Sequence, residues 1–372
     1  MSGRRTYLDY NATQPLRPEA RDAMVAALDV FGNASSVHAE GRRARALIDE
    51  ARESVAALVG AHPGEVVFTS GATEANTWAL SAPWTRIALA GTEHDSVRAP
   101  AAAIATARGA EVIELPVSGD GRVHLDGVRG GDGTLIALQL ANNETGVLQD
   151  VVAAGLWATE NGARLHTDAV QAPGRIALDF RTLGAATMSL SGHKIGGPKG
   201  IGALVIGAGA ALDPLFAGGG QELRRRAGTE NVAAIAGFGA AARAAFRDLE
   251  GAKRLGALRD RLEREVLAVT PEAIVIAAEA PRLPNTSSIA LPGASAETLV
   301  IKLDLMGLAV SAGAACSSGK VGESHVLAAM GLRSEIAQGA VRVSLGPDTT
   351  EDAIAAFVAA WKGICGGTSL AA

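Results

Sequence analysis

The sequence predicts an α/β protein: a large domain with a mainly parallel sheet flanked by helices, plus a smaller α+β domain. Three observations carry this. Short apolar runs alternate with amphipathic stretches up to about residue 206, the pattern of parallel strands covered on both faces. Beyond Gly228 the texture changes to two long helical stretches, 231–249 and 253–269, broken near Gly251. The 372 residues are 48% hydrophobic but only 3% aromatic, which suits helices and sheet packed through Ala and Gly rather than ring clusters.

In chain order, residues 65–68 read as a strand and 73–80 as the helix after it. Strands follow at 86–90 and 111–115, separated by a helix around 97–107. Residues 134–138 form a buried strand, with Trp157 in the helix behind it, and 164–167, 187–190 and 203–206 complete the sheet. The smaller part has strands at 273–276, 287–291 and 341–345 and helices at 296–305, 323–330 and 351–362. This places a large domain at 15–250, with 1–14 and 251–372 forming the small one.

A net charge of −5 argues against a protein that coats nucleic acid. Two cysteines, Cys316 and Cys365, make no disulfide framework and point to a reducing, cytoplasmic compartment. The start lacks an apolar signal region, and no apolar run reaches the roughly 18 residues of a membrane helix. No His/Cys pair has zinc-type spacing, so no structural metal site is expected.

Chemistry concentrates at a few points. Lys194, in Ser191-Gly192-His193-Lys194, ends an apolar strand, and Asp168 ends an earlier one. A desolvated amine loses its proton more easily and attacks carbonyls, and a carboxylate can hold a pyridine nitrogen protonated. Together they are what pyridoxal 5'-phosphate (PLP) requires. A solvated lysine in the Gly-rich turn is the plainer alternative.

Thr69-Ser70-Gly71-Ala72-Thr73 opens a helix and would cradle a phosphate, or else Ser70 or Thr73 simply caps it. His94, just past a strand, could stack on an aromatic cofactor and shuttle protons, or merely begin a helix. Arg342, amid apolar residues, could clamp a carboxylate or face water from an edge strand. Cys316 lies among Gly, Ala and Ser, which suits a mobile loop better than a core. That loop is no nucleotide P-loop: five residues separate Gly313 from Gly319, and Val321 follows Lys320. An electron sink plus a mobile thiol suggests removal of sulfur from an amino acid. Cys365 reads as incidental.

Taken together, these segments resemble the cysteine desulfurases of the NifS/IscS type, class V members of the fold-type-I PLP enzymes. The likeness runs from Tyr7-Leu8-Asp9-Tyr10-Asn11-Ala12-Thr13 to the strand at 341–346. It rests on Thr69 to Glu74, Glu93-His94, Asn142-Asn143-Glu144-Thr145-Gly146, His166 to Gln171, Ser191 to Lys194 and the segment from Arg226 to Asn231, together with the Cys316 loop.

The resemblance implies that Lys194 carries PLP as a Schiff base, Asp168 meets the pyridine nitrogen, Gln171 the ring oxygen, and His94 the ring face. Ala72, Thr73, Ser191 and His193 would hold the phosphate, and Thr229 would reach the cofactor of a neighbouring subunit, implying a homodimer. Asn143, Arg342 and Asn11 would meet the substrate. L-cysteine would yield L-alanine and a persulfide on Cys316, destined for an iron–sulfur scaffold or another sulfur acceptor; transient cluster ligation by Cys316 stays open.

The long cysteine segment resembles the long-loop group. Departures are Gln14 for the usual threonine and Gly-Ala-Ala-Cys-Ser-Ser in the loop, and the tail shows no sign of an extended scaffold-binding segment. Rival readings are a selenocysteine lyase, another class V PLP enzyme, or a non-catalytic partner in cluster assembly; a loop thiol argues against simple transamination.

Overall fold

In the computed structural model, which describes residues 5–313 and 324–366, a seven-stranded sheet forms the larger body. Its strands run in the order Val66–Thr69, Gly202–Ile206, Thr187–Ser191, Arg164–Asp168, Thr134–Ala137, Arg86–Ala90 and Glu111–Leu115. Only Gly202–Ile206 runs against the rest. That strand and Val66–Thr69, Thr134–Ala137 and Thr187–Ser191 are buried throughout; the first three are almost wholly apolar, whereas Thr187–Ser191 buries Thr187, Ser189 and Ser191 among apolar residues. The edge strand Glu111–Leu115 keeps Glu111 and Glu114 exposed, which discourages pairing with another chain.

Two helices were not anticipated from sequence: Pro18–Leu28 and Ala39–Val59. The second is rich in arginine, yet Ala44, Ile48, Ala51, Val55 and Leu58 fall on one buried stripe. It starts on His38, whose side chain accepts from the Gly41 N–H, and stops at left-handed Gly60. Both helices pack on the Ala-rich helix Val232–Asp248. The approach is close: a methyl group on Gly239 would lie 2.5 Å from Ala51 Cα. The many small residues of the sequence are therefore spent on helix contacts that larger side chains would force apart.

A second sheet has the order Ser311–Ala312, Ala340–Ser344, Thr286–Ala290 and Ile274–Val275, antiparallel throughout. Helices Ala252–Val269, Ala296–Leu305 and Glu351–Gly366 accompany it. Its core includes Leu262, Leu303, Val341, Val343, Phe357 and Trp361, the last two stacked at 5.8 Å. Burying each such side chain contributes about 1.5–3 kcal/mol. The start of the chain joins this body: Thr6–Tyr7 pairs with Leu308–Ala309, and Asp9 bridges Ser344.

One segment is strained. Glu222, Leu223 and Arg224 all have positive φ, at 44°, 58° and 64°, a conformation that disfavours side chains by about 1–2 kcal/mol each. The buried Glu222 carboxylate holds it, accepting two 2.9 Å bonds from Arg52 and one of 2.8 Å from the Phe68 N–H. No helix of the described residues is long and apolar enough to cross a membrane.

Candidate active site

Carboxyl ends of the central parallel strands open onto a cavity of about 560 Å³, where ligands of such sheets commonly sit. Ala72, Thr73, His94, Asn143, Asp168, Gln171, Ser191, His193 and Lys194 all line it. Asn11 and Arg342 stand directly behind its wall. Thr229 lies outside, exposed before helix Val232–Asp248. Cys316 lies outside the described residues.

Lys194 occupies the short turn Gly192–Ile195 after strand Thr187–Ser191 and is half-buried. Its Nζ donates to the carbonyls of Asn11 at 2.5 Å and Ala12 at 3.0 Å. The N-terminal segment clamps the same turn: the Gln14 N–H donates to His193 O and the Arg17 N–H to Gly196 O, each at 2.9 Å. Beside it, burial and the charges of Lys194 and Lys199 push His193 down to about 4, so this imidazole is neutral.

Asp168 is supported by a buried relay. Its oxygens accept from Asn76 Nδ2 at 2.8 Å and from the Val170 N–H at 3.0 Å. His166, pushed down to about 4 chiefly by burial, is neutral and bonded to Asn76 Oδ1 at 3.0 Å and Thr187 Oγ1 at 2.8 Å. That network assigns the His166 proton facing Asn76 to Nε2 and aims the amide N–H at Asp168. Asn76 Nδ2 also reaches Ser96 Oγ at 2.9 Å, and Ser96 engages His94 Nδ1 through both Oγ, at 2.9 Å, and N–H, at 3.1 Å. His94 therefore begins a helix, as one of its two sequence readings has it, and lines the cavity at once. With Nδ1 accepting, its proton belongs at Nε2.

The capping alternative for the 69–73 turn does not hold. Helix Ala72–Leu80 has Gly71 at its N-cap and no capping side chain, so neither Ser70 nor Thr73 serves as the cap. Its first N–H groups are capped by no side chain and border the cavity, where they could receive an anion. Glu74 accepts from the Ser70 N–H at 2.8 Å and pairs with Arg226 at 3.0 Å, tying the turn to the chain just beyond the strained segment.

Arg342 faces inward, not to water. It is 1% exposed, on a strand paired on both sides. Nη2 donates to Asp9 Oδ1 at 2.8 Å and Nη1 to the Asn143 carbonyl at 3.0 Å, leaving further N–H groups for a carboxylate. Asn11 Nδ2 donates to the same Asn143 carbonyl at 3.1 Å, and Gln171 Nε2 to Asn11 O at 3.0 Å.

Comparison with known proteins decides the lineage. The aminotransferase class-V family matches residues 6–357. This chain belongs to the class-V aminotransferase family. A cysteine desulfurase of Cereibacter sphaeroides is 43% identical, covering 93% of this chain and 92% of its own. An IscS-like cysteine desulfurase of Mycobacterium tuberculosis is 39% identical over the same shares. A NifS-like protein of Rickettsia africae superposes with a TM-score of 0.87 at 32% identity, covering 97% of this chain and 99% of that one.

The cofactor of this class-V enzyme is PLP, and the residues present fit it. A lysine amine, a carboxylate with lone pairs to spare, and an uncapped helix start converge on one cavity of suitable size. Lys194 would hold it covalently, Asp168 its ring nitrogen, and the start of helix Ala72–Leu80 its phosphate.

Sequence reasoning assigned no role to Asn76, Ser96, Glu93 or Glu144. Glu93 Oε1 accepts from the Gln139 N–H at 2.8 Å, and Oε2 has no partner among the described residues. Burial pushes Glu93 well above the usual carboxylate range; the Gln139 N–H opposes this and the Asp168 charge adds to it. Glu93 and Glu144 lie in segments that carry the family resemblance, which attached no role to either, and Asn76 and Ser96 stand in helices with no pattern to mark them.

Proposed function

We propose that this chain is a cysteine desulfurase, converting L-cysteine to L-alanine and taking the sulfur onto Cys316 as a persulfide. The observation that carries it is the convergence of Lys194 and Asp168 on one cavity backed by Arg342. The desulfurase relatives match along nearly their whole length.

PLP, when bound, supplies the electron sink for chemistry at the substrate Cα and Cβ. Arg342 orients the substrate carboxylate with its remaining N–H groups. The Lys194 amine takes the Cα proton, and His94 Nε2 is placed to pass protons at the ring side. Asp168, fixed by Asn76, stays aimed at the ring. The Cys316 thiolate then attacks the substrate sulfur. The S–S bond forms as the C–S bond breaks, its electron pair stays on carbon, and protons complete alanine. Cysteine plus enzyme thiol gives alanine plus enzyme persulfide, with no external oxidant.

Thr229, exposed outside its own chain's cavity, suits a contact with a second subunit's cofactor, so the working form is a homodimer. The sulfur passes on to an acceptor such as an iron–sulfur scaffold. Two cysteines in the whole chain suit a reducing cytoplasm.

The test compares PLP-loaded wild type with Cys316→Ala, given L-cysteine and a thiol reductant. Equimolar alanine and sulfide from the wild type, with turnover lost but cofactor absorbance kept in the variant, is the expected result. Equal turnover by the variant rules the persulfide out.

A further inference from the structure

Glu144 is buried at 3% exposure and has no part in the chemistry above. Its turn is fixed by Asn142, whose Oδ1 accepts from the N–H groups of Glu144 and Thr145, each at 2.9 Å. That turn aims the carboxyl at two points far along the chain. Ser324 Oγ donates to Glu144 Oε2 at 2.6 Å while accepting from the Leu327 N–H at 3.1 Å, as cap of helix His325–Ala329. Gly313 arrives from the other side. A methyl group there would lie 3.1 Å from the same oxygen and 3.8 Å from Ser324 Cβ. Gly313 and Ser324 are the two ends of the span that contains Cys316.

The same turn offers the Asn143 carbonyl to Arg342. One short segment thus bonds Arg342 and Ser324, and its carboxyl leaves little room for a side chain at Gly313, the other root of the cysteine-bearing span. We propose that Glu144 is a positioning residue: its carboxylate clasps the roots of that span and holds them in register with Arg342. This rests on Cys316 as the sulfur acceptor.

The clasp has a working charge. Burial pushes Glu144 up to about 7, with the Ser324 hydrogen bond and the charges of Arg342 and His94 pulling it back and Asp95 opposing them. Asp9, paired with Arg342, and His325, next to Ser324, complete the charged surroundings. A hydrogen bond to an ionised acceptor is roughly twice as strong as one to a neutral group. The clasp therefore tightens as pH rises through about 7 and loosens below it.

The experiment mixes PLP-loaded enzyme with L-cysteine in a single turnover, across pH roughly 6 to 8.5. It follows two signals: the cofactor absorbance change, and persulfide on Cys316 by mass after alkylation. In the wild type, persulfide formation should gain an ionisation near 7. Glu144→Gln should lose that ionisation and slow persulfide formation about tenfold at the alkaline end, with the absorbance change intact. Ser324→Ala should show similar slowing, and decides the matter if Glu144→Gln does not fold.

A wild-type rate and pH profile in Glu144→Gln overturns the proposal. So does an absorbance change slowed as much as the sulfur transfer, which would make Glu144 generally structural. Persulfide formation untouched by Cys316→Ala would instead sink the acceptor assignment itself.

Discussion

The two walls of the cavity are built on different principles. Behind the ring position, Thr187, His166, Asn76 and Ser96 form a chain of neutral hydrogen-bonding groups around one carboxylate, Asp168. Behind the substrate position, charge is packed on charge: Arg342 with Asp9, Glu144 nearby, and Arg175 fully buried and disfavoured as a cation by burial and by Arg342. On the first side, His166 in the wall and His193 beside Lys194 are both pushed down to about 4, chiefly by burial, and are neutral at physiological pH. The second contains a group that titrates near 7. The histidines of the first side are thus neutral at physiological pH, while the second side holds a carboxyl whose charge changes near it.

The largest expected effect tests the neutral wall. Asp168→Asn keeps the shape but offers an amide to the ring nitrogen, so kcat should fall by about three orders of magnitude with KM for L-cysteine little changed. A loss confined to KM would show that this wall serves substrate binding after all.

The charged wall should reveal itself in stability. A carboxyl near 7 when folded and near 4.5 when unfolded leaves the native state holding more protons between those values. Its contribution is complete below 4.5 and lost as pH rises through about 7. Glu144→Gln, which does not titrate, should therefore match wild type at acid pH and gain up to about 3 kcal/mol above neutrality. Denaturant melts at two pH values check this; an equal difference at both would remove Glu144 as the titrating group.

Much of this was legible before any coordinates. Asp168 ends a strand and Lys194 and His94 follow closely on strands, and strand ends of parallel sheets are where sites form. The charged wall was not. Whether Arg342 faced water or core depended on which strands flank it, and those partners come from residues 286–290 and 311–312. Glu144 meets Ser324 across 180 residues. No local pattern encodes such a meeting. The helix Ala39–Val59 hid behind Arg42, Arg43 and Arg45, whose charges mask a stripe visible only once its neighbours are known.

The smallest effect concerns the second cysteine. Burial is the main cause raising the Cys365 thiol, with a Thr270 hydrogen bond opposing. Cys365→Ser should change turnover less than about twofold, and alkylation at neutral pH should mark Cys316 first. Preferential labelling of Cys365 would give the thiol chemistry a second address.

The clamp on Lys194 has a consequence for how the enzyme is made. Asn11 lends its carbonyl to the lysine, yet its own N–H is held by Ser344 Oγ, 333 positions later. A ribosome emits the beginning of this chain long before its anchor exists, on the order of tens of seconds at usual elongation rates. Every strand of the large sheet precedes residue 207, whereas the anchor of the lysine's partner does not. The clamp on Lys194 is therefore completed only when synthesis is almost finished, and a product ending before Ser344 lacks it.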